Sequence, residues 1–329
     1  MNDSLRLLLT DSMDYTGILS PEEPSLREAL RAYVDFLNSD KGWMMSRFVI
    51  PHNMMHQLGQ FSDRKHLIDG PLNLCIAGPK VETLHQFKNA VNSIEKEIIS
   101  AHSGYPGEAR TSILELQLPV ESVVNLKPEE LVRALEAVVS SAAESRILPH
   151  RVYFELPVEA RNEETTKKII KVISVHNRSI LKRKIKNYLF SGIKINCGSL
   201  DVKRPPTAHY LSEVMLFARD ANVAVKISGD INSAFPTYNY EHQKNVHGFI
   251  NVVLGGLLGY TQDLLVDELK EVIQEKLPER FSFKNEYLAW QDLAAPQAEV
   301  KMLRMLSLTS FNTLDPKFIL DQLEELHLL

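Results

Sequence analysis

The chain has 329 residues, of which 44% are hydrophobic and 24% charged, so it is long enough to bury a large core and has the composition of an ordinary globular protein. Its formal net charge of −5 and sequence pI of about 6.1 argue against nucleic acid or an anionic membrane as a partner.

Cysteine usage and the apolar runs favour a cytoplasmic protein. Cys75 and Cys197 form no CxxC pair and no disulfide framework, which suits a reducing compartment. The first residues show no signal-peptide pattern, and the longest apolar run, residues 249–258, is too short to span a bilayer. We therefore expect a cytoplasmic protein without a membrane partner.

The first half of the chain alternates short apolar runs with segments of helical periodicity. From Ser25 onwards, apolar residues recur at helical spacing, which predicts a helix to about Leu37. Runs rich in β-branched and aromatic residues predict buried strands, and the amphipathic stretches that follow them predict helices. The predicted strands cover residues 47–51, 72–78, 112–119 and 152–157, and the predicted helices cover 83–100, 128–141 and 163–175. Residues 11–21 are predicted to form a turn-rich segment.

Two further predicted strands, each with a lysine near its centre, follow as a pair. Residues 192–198 and 223–229 are apolar runs bounded by glycine, and the segment between them has helical character, which predicts a βαβ unit with parallel strands. No GxGxxG or GxxxxGK[ST] motif follows any predicted strand. The regular alternation from residue 47 to 229 therefore predicts the α/β class, as a (β/α)8 TIM-type barrel.

The regular alternation stops after Gly229. We predict a single (β/α)8 domain over residues 1–329, with an irregular loop and helical insertion over 231–300 before the last strand. The elements expected after Gly229 are a polar and aromatic loop over 230–245, helices over 247–260, 261–280 and 300–306, a hairpin or irregular strand over 281–290, a last strand over 307–312 and a closing helix over 316–326.

The two lysines, Lys194 and Lys226, are the candidate catalytic residues. Two ammonium groups brought together in a low-dielectric site lower the pKa of at least one, which frees an amine to form an imine with a carbonyl compound. Glu115 and Glu155 lie in separate predicted strands and could transfer protons. The alternative is that these glutamates are ion-pair partners that neutralise the two lysines, which would then be structural.

The strands that carry these residues resemble those of the deoxyribose-phosphate aldolase family, which are Schiff-base aldolases on a (β/α)8 barrel. The resemblance rests on Ile-Lys-Ile-Asn-Cys-Gly at 193–198, Val-Lys-Ile-Ser-Gly-Asp at 225–230, Val-Tyr-Phe-Glu at 152–155 and Met-Asp-Tyr-Thr-Gly-Ile-Leu-Ser-Pro at 13–21. It implies that Lys194 forms the imine, that Lys226 lowers its pKa, and that Glu115 replaces an aspartate that acts in proton transfer. The glycine pairs with which the family binds phosphate are missing, so the resemblance does not extend to a phosphorylated substrate.

From these observations we expect an aldolase-like lyase that acts on a small carbonyl or sugar-like substrate without a cofactor or metal. Self-association as a homo-oligomer stays open. The residues expected to contact the substrate are Asp14, Asn196, Ser228, Asp230, His242 and His247. One alternative is a metal-assisted hydrolase or isomerase that uses Asp230, His242 and His247. The other is a non-catalytic barrel in which the lysines form ion pairs.

Overall fold

The computed structural model describes residues 2–60, 71–104, 109–144, 151–184, 190–198, 205–229, 231–240 and 243–329. Eight strands form a closed parallel barrel, which confirms the predicted fold class. In spatial order around the barrel, these strands are β1 (Met13–Tyr15), β13 (Leu308–Thr313), β7 (Ala224–Ser228), β6 (Gly192–Asn196), β5 (Arg151–Glu155), β4 (Ala109–Gln117), β3 (Leu72–Ala77) and β2 (Met45–Pro51).

Helices separate most of the consecutive barrel strands along the chain. They are α1 (Asp3–Leu9), α2 (Leu26–Leu37), α3 (Leu84–Gly104), α4 (Val120–Asn125), α5 (Pro128–Glu144), α6 (Glu163–Arg183), α7 (Ala208–Asp220), α8 (Phe249–Thr261), α9 (Val266–Gln274), α10 (Gln297–Leu306) and α11 (Pro316–Glu325). Polar side chains accept backbone N–H groups at several N-termini, as Ser25 does in a capping box with Glu28, and Asn162 and Thr207 do for α6 and α7.

The barrel strands turn an apolar face towards the helices. In β2, Phe48 meets Tyr33 of α2 edge to face, with ring centroids 5.6 Å apart. In β13, Phe311 stacks on Phe249 of α8 at 5.1 Å. Because side chains alternate along a strand, the neighbours of Phe48 and Phe311 lie on the other face of the sheet.

That other face is unusually polar for a barrel, whose interior is normally filled by branched aliphatic side chains. The register between neighbouring strands shows which residues share a face of the sheet. Phe48 pairs with Leu74, and Phe311 pairs with Ile227, so these four residues lie on the face towards the helices. The polar residues of opposite parity include Asp14, Arg47, Asn73, Glu115, Gln117, Arg151, Glu155, Lys194, Asn196, Lys226, Ser228, Ser310 and Asn312. Charge on this face indicates a role beyond packing.

Two expectations about the elements are wrong. Residues 11–21 are not only turns, because Met13–Tyr15 is a barrel strand that pairs with β13. The helix expected over 261–280 is restricted to Val266–Gln274, because the backbone of Glu275 is extended and Pro278 follows.

The segment between β7 and β13 carries elements of its own. A two-stranded hairpin consists of β8 (Thr237–Asn239) and β9 (Lys244–Val246). A three-stranded antiparallel sheet consists of β10 (Phe281–Phe283), β11 (Tyr287–Trp290) and β12 (Leu293–Pro296), so the aromatic alternation predicted over 281–290 is a hairpin. The division of the chain into a single domain with an insertion stays a prediction.

The chain groups into two compact units, and each candidate cluster described below lies within one of them. The first unit comprises Met1–Tyr15, Trp43–Ser46 and Ile195–Leu329, and the second comprises Thr16–Gly42 and Arg47–Lys194. Among the helices of the described ranges, none has both the length and the apolar character that crossing a bilayer requires.

Candidate functional site

The second unit contains a lysine held between two glutamates. The Lys194 Nζ lies 2.7 Å from Glu115 Oε2 and 2.9 Å from Glu155 Oε2. Glu155 and Lys194 are register partners in neighbouring parallel strands, and Glu115 lies in the strand on the other side of β5. Because all three have inward parity, strand order alone brings the two carboxylates to one ammonium group.

The electrostatics of this cluster are the opposite of those expected from the sequence. Burial opposes the charge on Lys194, but the Coulombic attraction of Glu115 and Glu155 and their hydrogen bonds outweigh it, so the pKa of Lys194 is raised above that of an ordinary lysine. The expectation that a neighbouring lysine lowers this pKa is therefore wrong. Lys194 is an ammonium group at neutral pH.

A cysteine completes the surroundings of Glu115 and was not assigned a role from the sequence. The Cys75 Sγ lies 3.2 Å from Glu115 Oε1, and both residues are buried. One carboxylate oxygen therefore faces the thiol and the other faces Lys194. Cys75 has inward parity in β3, a signal that is visible once the strand is assigned but that composition alone does not single out.

The first unit contains a separate cluster around Lys226. The Lys226 Nζ donates to Asp14 Oδ2 at 2.5 Å, and Ser310 Oγ donates to the same oxygen at 2.7 Å. The side chains of Lys226 and Asp14 are both fully buried. The alternative in which Glu115 and Glu155 neutralise both lysines agrees with the structure for Lys194 only. For Lys226 it is wrong, because the ion-pair partner of Lys226 is Asp14 of β1.

The backbone around the ends of β6 and β7 engages two of the predicted substrate-contact residues. Asn196 Oδ1 accepts the Gly198 N–H at 3.0 Å, and Ser228 Oγ donates to the Ile195 carbonyl at 3.3 Å. Gly229 has φ of +83°, and a Cβ there would lie 2.6 Å from Asn196 Oδ1. Glycine at this position is therefore required by both conformation and space.

The residues proposed for a metal site are not shown together. Asp230 and His242 lie outside the described residues, so neither can be placed. The His247 Nε2 lies 2.8 Å from the Pro206 carbonyl oxygen, and burial lowers its pKa. Within the described part of the chain, no group of three or more histidine, cysteine or acidic residues is arranged to hold a metal ion.

Comparison with known proteins adds little to this geometry. No family model matches the chain, and no curated protein matches it. Similar solved structures include the catalytic domain of hyperthermophilic chitinase from Pyrococcus furiosus, with 10% identity over 82% of this chain and 98% of that chain and a TM-score of 0.37. Another is a set of catalytic site mutants of active domain 2 of chitinase from Pyrococcus furiosus, with the same identity and coverage and a TM-score of 0.36.

These values are too low to carry an inference about activity. The class of the protein rests on its own strand order, which defines a (β/α)8 barrel. What distinguishes this barrel is the inward-facing Lys194 held by two glutamates.

Proposed function

We propose that the protein is an enzyme that acts on a small carbonyl or sugar-like compound, with Lys194, Glu115 and Glu155 as its proton-transfer group. The observation that carries this proposal is the placement of one ammonium between two carboxylates, at 2.7 Å and 2.9 Å, near the carboxyl ends of barrel strands. That end of the strands is where barrel enzymes hold their catalytic residues.

The Lys194 ammonium has a hydrogen-bond donor to offer to a substrate. An ammonium carries three N–H donors. Glu115 Oε2 and Glu155 Oε2 lie 2.7 Å and 2.9 Å from the Nζ, so two carboxylates account for two of these donors in the proposed site and the third is assigned to a substrate oxygen. The side chain of Lys194 retains 13% exposure, whereas that of Lys226 retains none. A carbonyl oxygen that accepts this third N–H would be polarised in a site largely free of water.

The two glutamates differ in a way that assigns their roles. Glu155 is the last residue of β5 and its side chain is 13% exposed, whereas Glu115 is 3% exposed and also faces the Cys75 thiol. Glu155 is therefore the base that takes a proton from the carbon next to the carbonyl, and Glu115 fixes the ammonium. The electron pair of the broken C–H bond moves to the carbonyl oxygen, where Lys194 stabilises the enolate.

This chemistry belongs to isomerases and lyases. In an isomerase, the proton returns from Glu155 to the former carbonyl carbon, and the hydroxyl proton moves to the oxygen that Lys194 stabilises. In a lyase, Glu155 instead takes the proton of a hydroxyl on the second carbon from the carbonyl carbon, that oxygen becomes a new carbonyl, and the electron pair of the broken carbon–carbon bond gives the enolate. The raised pKa of Lys194 favours this electrophilic role over the imine expected from the sequence, because imine formation needs the neutral amine.

The proposal is tested by proton exchange in deuterated water. The protein is incubated with glyceraldehyde, dihydroxyacetone and pyruvate, and exchange of the protons next to the carbonyl is followed by NMR. Wild type should exchange at least one compound, and Lys194→Met should lose about 100-fold or more of that rate. The control is Lys167→Met, which removes an exposed lysine that pairs with Glu163 on α6 and should leave the rate unchanged.

Two outcomes would revise the proposal. Equal exchange by wild type and Lys194→Met, or no exchange with any of the three compounds, would contradict it. Treatment of the same mixtures with borohydride separates the two roles of Lys194, since a reduced adduct on its peptide would restore the imine and the aldolase mechanism.

A further inference from the structure

Three partly exposed polar residues form a row across neighbouring strands of the second unit. Gln117 and Glu155 are register partners, and Glu155 and Lys194 are register partners in turn. Gln117 is the last residue of β4 and Glu155 is the last residue of β5, so both lie at the carboxyl ends of their strands. All three residues have inward parity and belong to the same compact unit. The row therefore extends the Lys194 cluster to a third polar side chain.

The end of β4 is fixed beside β5. The Leu118 N–H donates to the Glu155 carbonyl at 2.9 Å, and on the other side of β4 the Gly78 N–H donates to the Glu115 carbonyl at 2.8 Å. Hydrogen-bonded strands lie about 4.8 Å apart, so the Cα atoms of Gln117 and Glu155 are separated by about one strand spacing. Backbone hydrogen bonds on both sides thus hold Gln117 next to the proposed base.

The side-chain amide of Gln117 is available to a ligand. Within the described ranges it has no hydrogen-bond partner, and its nitrogen and oxygen are not among the enclosed polar atoms that lack one. The residue itself remains partly exposed. From β3, Ala77 is the register partner of Glu115 and adds only a methyl group to the interior at that level. An amide has an acceptor oxygen and two N–H donors, so it can pair with either function of a hydroxyl group.

The order of the row defines where a substrate group would meet this amide. In the proposed reaction, Lys194 binds the carbonyl oxygen and Glu155 takes the proton from the next carbon. Gln117 lies on the far side of Glu155 from Lys194, so it faces a group attached to the carbon that loses the proton. A hydroxyl group matches the amide there, whereas a carboxylate would be repelled by Glu155, which has the same charge.

We infer that Gln117 binds a hydroxyl group on the carbon next to the carbonyl, which makes the substrate an α-hydroxy carbonyl compound. The inference rests on the proposed function of the Lys194 cluster and narrows its substrates. A hydrogen bond at this point also orients the carbon whose proton Glu155 removes, so that the C–H bond faces the carboxylate.

Hydroxyacetone tests this inference, because only one of the two carbons next to its carbonyl carries a hydroxyl group. Exchange of its hydroxymethyl and methyl protons in deuterated water is followed by NMR. The chains compared are wild type, Gln117→Met, Gln117→Ala and the control Gln274→Met, which changes an exposed glutamine at the end of α9. Wild type and Gln274→Met should favour the hydroxymethyl protons. In Gln117→Met, the ratio of the two rates should fall about 10-fold, the effect of losing one hydrogen bond.

Binding is measured separately from exchange, by NMR titration with hydroxyacetone and with acetone, which lacks the hydroxyl group. Wild type should bind hydroxyacetone about 10-fold more tightly than acetone, and Gln117→Met should bind the two ketones alike. The affinity for acetone should be the same in both chains, whereas a purely structural role of Gln117 would change both affinities together.

The outcomes separate this inference from the proposed function. Should Gln117→Met fail to fold, Gln117→Ala carries the test. Equal affinity of wild type for the two ketones, or a preference that the folded Gln117 variants keep, would overturn the inference. Exchange by wild type with a rate ratio that Gln117→Met leaves unchanged would also overturn it and leave the proposed function intact. A preference for hydroxyacetone that depends on Gln117, without exchange of any proton, would contradict the proposed function and keep the hydroxyl site.

Discussion

The two buried lysines of this barrel are accommodated in different ways. Lys226 pairs with Asp14, the Ser310 hydroxyl donates to the same carboxylate oxygen, and both members of the ion pair are fully buried. Lys194 has two carboxylates and remains 13% exposed. The first arrangement is closed to solvent, whereas the second places two carboxylates at one ammonium and keeps some access to solvent.

This difference separates a structural ion pair from a reactive one. Both side chains of the Lys226–Asp14 pair are inaccessible to solvent, so their charges stabilise each other inside the protein and are not presented to a ligand. An ammonium shared by two carboxylates has a spare N–H and a proton acceptor on each side. The comparison agrees with the proposed role of Lys194 in chemistry and with a structural role of Lys226. The predictions for Lys226 and Cys75 below each change one side of it.

The largest expected effect on stability comes from breaking the closed pair. Lys226→Met leaves Asp14 buried without its cation and should lower the free energy of unfolding by about 3–5 kcal/mol. The double variant Asp14→Leu with Lys226→Met should recover most of this loss, because an apolar pair of similar volume needs no charge compensation. Denaturant unfolding of the three chains measures both. A loss below about 1 kcal/mol for the single variant would show that Asp14 is not held as described.

A buried histidine on α6 shows how burial, as the largest of several causes, lowers the pKa of a base. His176 on α6 is fully buried, and burial lowers its pKa from 6.5 to about 4, with a partly opposing effect from Glu136 and a further lowering by Arg183. In the unfolded chain, His176 binds a proton as the pH falls below 6.5. In the folded chain, it binds that proton only as the pH falls to about 4. The contribution of His176 to the free energy of unfolding should therefore be complete above pH 6.5, and the free energy of unfolding should fall by about 3 kcal/mol between these two pH values.

Unfolding titrations at a series of pH values test this prediction. In His176→Leu, the decrease in the free energy of unfolding between pH 6.5 and about pH 4 should be smaller by the His176 contribution. The contributions of the other titrating groups should stay unchanged. A wild-type stability that is constant from neutral pH to pH 4, or an unchanged slope in the variant, would contradict the lowered pKa of His176.

The smallest expected effect concerns the thiol beside Glu115. Cys75→Ala removes the S–H donor at 3.2 Å from Oε1 and leaves a small void. The cost should be about 1 kcal/mol in the free energy of unfolding. Cys75→Ser keeps a donor and is the matched control for the hydrogen bond. A larger loss in Cys75→Ser than in Cys75→Ala would indicate that packing, and not donation to Glu115, determines the role of this residue.

Much of the barrel follows from local sequence, and β1 shows why the rest does not. The runs around Lys194 and Lys226 are apolar, β-branched and bounded by glycine, so their strands were predicted and are confirmed. Met13–Tyr15 is a strand of three residues with an aspartate at its centre. So short a run has no detectable periodicity, and pairing with β13, far away in the sequence, makes it a strand.

The ion pairs show a similar limit. Alternation gave Lys194, Glu115 and Glu155 their shared face, but the stagger between strands decides which carboxylate reaches which lysine. Asp14 lies 212 positions from Lys226, and no local pattern links them.

The central claim is that two glutamates hold Lys194 as an ammonium, and the most direct measurement is its pKa. Protein labelled with 15N at lysine Nζ is titrated by NMR, and the Lys194 resonance is assigned by its loss in Lys194→Arg. We expect a pKa above that of an ordinary lysine, and a decrease of this pKa in Glu115→Gln and in Glu155→Gln. A pKa of Lys194 below that of an ordinary lysine would contradict this expectation and would restore the neutral, imine-forming amine.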